Sequence, residues 1–90
     1  MKLSEKDKAL LESWGHPKSD FPQIEEAMSG NVTKFELNEK RISRDAAIKI
    51  LGHDTFLSGI ARSAFHSTAA RMSLDGQIVI FDSSKLFRQS

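Results

Sequence analysis

The chain has 90 residues, of which 39% are hydrophobic and 28% charged, a composition typical of one small globular domain. It has no cysteine, which excludes disulfides, thiolate metal sites and cysteine nucleophiles. No apolar run approaches the roughly 20 residues that span a bilayer, and residues 1–14 lack the continuous apolar stretch of a signal peptide. We therefore expect a single domain over residues 1–90, soluble and cytoplasmic, with no membrane partner.

The formal net charge of +1 conceals a difference between the two halves of the chain. Residues 1–40 hold six lysines and eight acidic residues, whereas residues 41–90 hold seven basic residues and four aspartates. A basic half indicates affinity for a polyanion. Chance clustering in a small domain explains the difference equally well, so the charge pattern alone does not decide.

Residues 1–31 have the pattern of two helices. The first is predicted to begin after Ser4, a good N-cap, and to end at Gly15. The second is predicted to begin at Asp20, with Gln23 as its capping-box partner, and to end at Gly30. We expect the two helices to form an antiparallel pair. The apolar residues that recur at helical spacing, and are expected in the core, are Leu3, Leu10, Leu11, Trp14, Phe21, Ile24 and Met28.

Residues 32–66 predict a strand followed by two helices. Alternating side chains indicate a strand over 32–37, and residues 38–40 form a polar turn. Ser43 caps a helix over 44–51, which Gly52 ends. A longer helix over 55–66 repeats its apolar residues at i, i+1, i+4 and i+5. Its opposite face carries small and polar residues that would let another surface approach, namely Ser58, Gly59, Arg62, Ser63 and His66. A glycine in mid-helix indicates either tight packing within the chain, the commoner cause, or close approach of a partner.

The last third predicts a hairpin and a terminal turn. Asp75 and Gly76 are the strongest turn signal in the chain, between candidate strands at 68–73 and 77–81. Ser83 or Ser84 caps a turn that returns apolar residues to the core. The whole pattern predicts an α+β domain with an N-terminal helical hairpin and a short three-stranded antiparallel sheet. Phenylalanines at the apolar positions, expected in the core, are Phe35, Phe56, Phe65, Phe81 and Phe87.

Two helices joined by a tight glycine turn and followed by a hairpin are the plan of a winged helix. Residues 42–52, ISRDAAIKILG, resemble the opening of excisionase-type helix-turn-helix domains, in which a capped helix with an Ala-Ala pair ends in Leu-Gly. The resemblance covers residues 42–88. It implies that 55–62 lies on a recognition helix, that 70–81 is the wing and that 83–87 begins a closing helix.

A second resemblance concerns the block GIARSAFH at residues 59–66, which is similar to small uncharacterised proteins of mobile elements in gut bacteria. The predicted recognition face has one arginine and no asparagine or glutamine, so Arg62 is the only candidate base reader on it. Phosphate contacts require charge rather than bidentate geometry. The candidate contacts to nucleic acid or a partner are Arg44, Lys49, Ser58, Arg62, Ser63, His66, Arg71 and Lys85.

Catalytic and metal-binding motifs are not evident in the sequence. The three histidines, His16, His53 and His66, lack the HxH or HxxxH spacing of a metal site. No nucleophile elbow or phosphate-binding glycine loop is present. We therefore expect a protein that is not an enzyme, with no cofactor, no bound metal and no catalytic residue.

Two functions remain open at this point. The first is a DNA-binding accessory or regulatory protein of a mobile element or phage, whose helix over 55–66 approaches the major groove of double-stranded DNA while Arg71 contacts the backbone or the minor groove. The second is a protein-binding inhibitor of a host nucleic-acid enzyme or defence nuclease, of the anti-CRISPR kind, on the same scaffold. The near-zero net charge and the poorly basic helix favour the second function. The sequence does not determine the oligomeric state.

Overall fold

A computed structural model describes residues 2–29, 32–66 and 68–87. The strands in these ranges form one antiparallel sheet of order β2-β1-β4-β3. The helices and strands are α1 (Glu5–Ser13), α2 (Phe21–Met28), β1 (Lys34–Leu37), β2 (Lys40–Ile42), α3 (Arg44–Leu51), α4 (His53–Ala64), β3 (Ala70–Leu74) and β4 (Gln77–Asp82). Short 3₁₀ helices cover Lys18–Asp20 and Ser84–Phe87. None of the helices in these ranges has the length and apolar character needed to cross a membrane.

The start of α2 does not depend on a side-chain cap. Asp20 makes no cap hydrogen bond, so the predicted capping box with Gln23 is wrong, and Gln23 Nε2 donates to the Ala64 carbonyl on α4 instead.

Side-chain caps do set the starts of α1 and α3. Ser4 caps α1 as predicted, because the Asp7 N–H donates to its Oγ at 3.1 Å. Ser43 caps α3 in the same way through the Ala46 N–H, also at 3.1 Å. Gly52, at φ +80°, ends α3 and directly precedes α4, which begins at His53, two residues before its predicted start. The predicted end of the second helix at Gly30 lies outside the described residues.

The prediction of three strands is wrong, since the described residues contain four. The segment 38–40, predicted as a polar turn, is a two-residue turn followed at once by β2. Asn38 and Glu39 both have positive φ, 52° and 66°, which a type I′ hairpin requires. The turn contains no glycine and β2 has only three residues, so the sequence pattern is too short to separate strand from turn.

The predicted hairpin at Asp75 and Gly76 is confirmed. Both residues have positive φ, 52° and 81°, and Leu74 pairs with Gln77 across the two-residue turn. β3 then pairs with β4 in one uninterrupted register from Leu74 back to Ala70. Asp82 follows at the end of β4 and accepts from the Ser84 N–H at 2.9 Å, which starts the terminal 3₁₀ helix.

The core lies between the sheet and α4, a helix that also contacts α1, α2 and α3. Phe35, Phe56 and Phe81 form an aromatic cluster there, with ring centroids 5.3–5.6 Å apart. None of the three is more than 3% exposed, so their predicted core positions are confirmed. The fold is a small α+β domain with an antiparallel sheet covered by helices on one face.

Three aromatic residues predicted in the core are instead partly exposed. Trp14, Phe65 and Phe87 are 42%, 37% and 43% exposed. Each stands at the end of a helix, where the helical periodicity no longer determines the direction of the side chain. The Phe65 ring stacks on His16 instead, with a centroid distance of 6.0 Å.

Candidate binding surface

The longest helix, α4, is a core helix rather than a surface helix. Seven of its twelve residues are buried, and it packs against α2, α3 and the sheet. A recognition helix needs a continuous free face to enter the major groove of DNA. On α4 only His53, Asp54 and Arg62 are exposed, and these do not form such a face. This burial argues against residues 55–62 as a recognition helix.

The small residues of α4 do not leave room for an external partner. Gly59 is buried, and a Cβ atom there would lie 2.6–2.8 Å from the side chains of Phe81 and Met72. Ser63 is fully buried, so the prediction that it is accessible to a partner is wrong. The β3–β4 hairpin of the same chain occupies the space beside Gly59, and a buried hydroxyl chain surrounds Ser63.

This hydroxyl chain connects α2 and α4 to the residues just before β1 and just after β4, and it was not predicted from the sequence. The Ser63 hydroxyl donates to the Ile60 carbonyl at 3.1 Å and lies 2.8 Å from the Ser83 hydroxyl. The Ser83 hydroxyl lies 2.6 Å from that of Thr33, which also contacts the Ala27 carbonyl at 2.6 Å. Since every member has a polar partner, the three buried hydroxyls stabilise the packing of α2, β1, α4 and β4. No local sequence signal marks residues that come from such distant positions.

Arg44 takes part in the fold through its guanidinium. Its Nη1 donates to the Met28 carbonyl at 3.1 Å, at the C-terminal end of α2. A cation at this end satisfies a carbonyl left unpaired by the helix and interacts favourably with its dipole. Arg44 is half-buried and therefore differs from the solvent-exposed phosphate contact that the sequence suggested.

The remaining predicted contact residues are not gathered into one site. Ser58 is half-buried on α4, and Lys49 is exposed in the last turn of α3. Arg62 is exposed and extends toward β3, with Nη1 3.9 Å from Met72 Sδ. The last three, which are exposed on other elements, are His66 after α4, Arg71 on β3 and Lys85 in the terminal 3₁₀ helix.

The outer face of the sheet is the broadest accessible surface that the strands form. Glu36 pairs with Arg41 and with Ile80, and Ile80 pairs with Arg71, so these four residues form a row across all four strands. The neighbouring pairs on this face are Lys34 with Asp82 and Ser73 with Ile78. We call these residues the open sheet face: Lys34, Glu36, Arg41, Arg71, Ser73, Ile78, Ile80 and Asp82.

The open sheet face combines apolar and charged side chains. All its members are exposed or half-buried, and Ile78, at 45%, is the most exposed large aliphatic residue among those that the structure describes. A shallow concavity on this side is lined by Arg71, Met72, Ser73 and Ile78. Three cations and two carboxylates surround the two isoleucines. Such a mixture is typical of a protein contact surface, in which an apolar centre is bordered by polar groups.

Two histidines have aspartate partners. His53 Nε2 lies 2.8 Å from Oδ1 of Asp7, a residue only 5% exposed, and this contact connects α1 to the start of α4. His16 Nδ1 lies 3.2 Å from Asp20 Oδ2. In the part of the chain that the structure describes, no three His, Asp or Glu side chains are placed to hold a metal ion. The His53–Asp7 contact is tertiary, because it joins residues 46 positions apart, whereas the His16–Asp20 contact is local, between residues four positions apart.

Comparisons with protein-family models, with curated proteins and with solved structures give no match to this chain.

Proposed function

We propose that the protein is a non-enzymatic binding module whose open sheet face contacts a partner protein. The observation that carries the proposal is the row Arg41, Glu36, Ile80 and Arg71, which crosses all four strands beside the exposed Ile78. A surface selected for nucleic acid is dominated by basic residues, because its affinity comes from phosphate neutralisation. Here acidic residues lie among the basic ones, which favours a protein partner.

The chemistry of the face defines the complementary surface. Ile78 and Ile80 need an apolar patch, and Arg71 at the margin needs a carboxylate on the partner. The resemblance of residues 59–66 to mobile-element proteins suggests a class of partner, a host enzyme that acts on nucleic acid. With such a partner, the protein would act as an inhibitor that covers part of the enzyme's surface and undergoes no reaction itself.

The first test locates the binding surface in cells. A photo-reactive benzophenone amino acid at position 78 should cross-link one defined protein, whereas the same group at position 12, exposed on α1, should not. The cross-linked protein is then identified by mass spectrometry and purified. Equal cross-linking from both positions would contradict the proposal.

The second test measures affinity for the purified partner. Ile78→Asp and Arg71→Glu should each weaken binding at least tenfold, about 1.4 kcal/mol, because each removes a contact from the centre or margin of the face. Lys49→Glu makes the same charge reversal on α3, away from the open sheet face, and should leave the affinity within about twofold. Unchanged binding by Ile78→Asp, measured by calorimetry, would exclude this face as the contact surface.

Double-stranded DNA is the second candidate partner, and one observation favours it. Lys34, Arg41 and Arg71 are exposed on the same sheet face, with Arg71 on the hairpin that a winged-helix interpretation assigns as the wing. Three phosphate contacts would give a slope of log K against log salt near −2.7. Fluorescence anisotropy on a mixed-sequence duplex decides between the candidates. The protein-partner proposal predicts no binding at micromolar protein in low salt, whereas binding with this slope would replace it with the DNA function.

A further inference from the structure

The two edges of the sheet are protected to different degrees. β2 has three residues, of which Lys40 and Arg41 are charged, and short charged strands are a common protection against edge pairing. β3 has five residues, Ala70–Leu74, in a regular register with β4. Its one charged residue is Arg71, and it contains no proline, lysine or acidic residue, so it is less protected than β2 against pairing with another strand.

The hairpin geometry determines which backbone groups of β3 are free. In a two-residue hairpin the pair that closes the turn, here Leu74 with Gln77, exchanges both backbone hydrogen bonds. Because hydrogen-bonded and non-hydrogen-bonded pairs alternate, Met72 and Ala70 also direct their N–H and C=O groups toward β4. Arg71 and Ser73 direct theirs to the outer edge, away from β4.

We propose that this edge pairs with β3 of a second copy of the chain, antiparallel and about a two-fold axis through Met72. Arg71 then lies opposite Ser73 of the second copy, so all the free backbone groups of these two residues are paired. An axis through Arg71 would place two arginines opposite each other. An axis through Ser73 would place Arg71 opposite Asp75 of the second copy, which lies in the turn and outside the strand. The register centred on Met72 avoids both faults.

Side chains and symmetry support a closed pair. Leu74, 40% exposed, lies opposite Ala70 of the second copy, and Asp75 lies diagonally from the second copy's Arg71 on the same face. The pairing uses both β3 edges and leaves only the protected β2 edges, so assembly stops at two copies.

The dimer is weak. Pairing of one short strand buries less than the roughly 1,200 Å² of a stable interface. In addition, Arg62 lies beside Met72, so the guanidinium groups of the two copies approach the axis from the helix side. We therefore expect dimerisation at high protein concentration.

Single-cysteine variants test the register directly, since the natural chain has no cysteine. In the proposed register Met72 lies opposite Met72 of the second copy in a non-hydrogen-bonded pair. The two Cα atoms are then about 4.5 Å apart, within the range of a disulfide. Ser73 lies diagonally across from Ser73 of the second copy, with Cα atoms about 7–8 Å apart, beyond the Cα separation that a disulfide can bridge. Under mild oxidation Met72→Cys should therefore form a disulfide dimer at least tenfold faster than Ser73→Cys, and faster than Gln77→Cys on β4. Equal rates, or a faster rate for Ser73→Cys, would overturn the proposal.

A second measurement does not depend on the folding of the Met72 variant. Sedimentation velocity should detect dimers of the natural chain as its concentration approaches about 1 mM, the range of weak association. Ser73→Pro removes an outward N–H that does not bond β4, so the monomer should keep its circular dichroism spectrum while the dimer fraction falls at least threefold. A natural chain that stays monomeric at these concentrations would refute the pairing. Neither measurement uses the partner protein of the proposed function, so the two proposals can fail independently.

Discussion

Gly59 occupies the closest contact between α4 and the β3–β4 hairpin. In an exposed helix a change from glycine to alanine stabilises by about 1 kcal/mol through helix propensity. Here the added methyl would lie less than 3 Å from the ring of Phe81 and the side chain of Met72. The Phe81 ring is fully buried and surrounded by other core residues, so it has little room to move. Steric crowding should therefore outweigh propensity.

We expect Gly59→Ala to destabilise the protein by about 1–2 kcal/mol, since overpacking of a filled core typically costs 1–3 kcal/mol. Urea unfolding followed by circular dichroism measures the change. Ser58→Ala, at the neighbouring half-buried position of α4, is the control and should lie within about 0.5 kcal/mol of the natural chain. An increase in stability on Gly59→Ala would mean that the hairpin does not pack against this helix face.

The elements differ in how well their sequences predict them. Ser4, Ser43 and Gly52 act within one helical turn, so α1 and α3 were predictable from neighbouring residues alone. β2 was missed because three residues carry too little pattern and because Glu39 adopts a positive φ that its residue type disfavours. The burial of Ser63 depends on contacts with residues 20 or more positions away, so it could not be read from helical periodicity.

The turn between β1 and β2 holds Glu39 in a backbone conformation that favours glycine. Glu39 has φ +66°, a conformation that costs a residue with a Cβ about 1–2 kcal/mol and glycine almost nothing. Glycine also makes the unfolded chain more flexible, which offsets part of this gain in stability. Glu39→Gly should therefore stabilise the protein by about 0.5–1 kcal/mol in thermal or urea unfolding. Lys40→Gly, one residue later in β2, should destabilise it, because glycine weakens a strand. The same sign for both variants would contradict the assigned hairpin.

The N-terminal helices are part of the core. Leu11, Ile24 and Ala27 are fully buried, and α1 and α2 both contact α4. The Leu3 N–H donates to the Glu25 carboxylate at 2.9 Å, which connects the start of the chain to α2. The segment that resembles excisionases, residues 42–88, does not include α1 or α2. It also lacks β1, which lies between β2 and β4 in the sheet. That segment is therefore not a complete hydrophobic core.

A fragment of residues 42–88 loses the central strand β1 and exposes the side of α4 that α2 covers, so it should not fold alone. Its circular dichroism should lack a cooperative urea transition, whereas the full chain should unfold in one step, as small single domains do. A longer fragment, 32–90, restores β1 but still exposes the side of α4 that α2 covers, and short chains of this size have little stability to spare. We expect it to unfold without cooperativity as well. A sharp transition in the 42–88 fragment would instead mean that the winged-helix segment is an autonomous domain, with α1 and α2 as additions to it. Since α4 of that domain would then be free of α2, residues 55–62 would again be a candidate recognition helix.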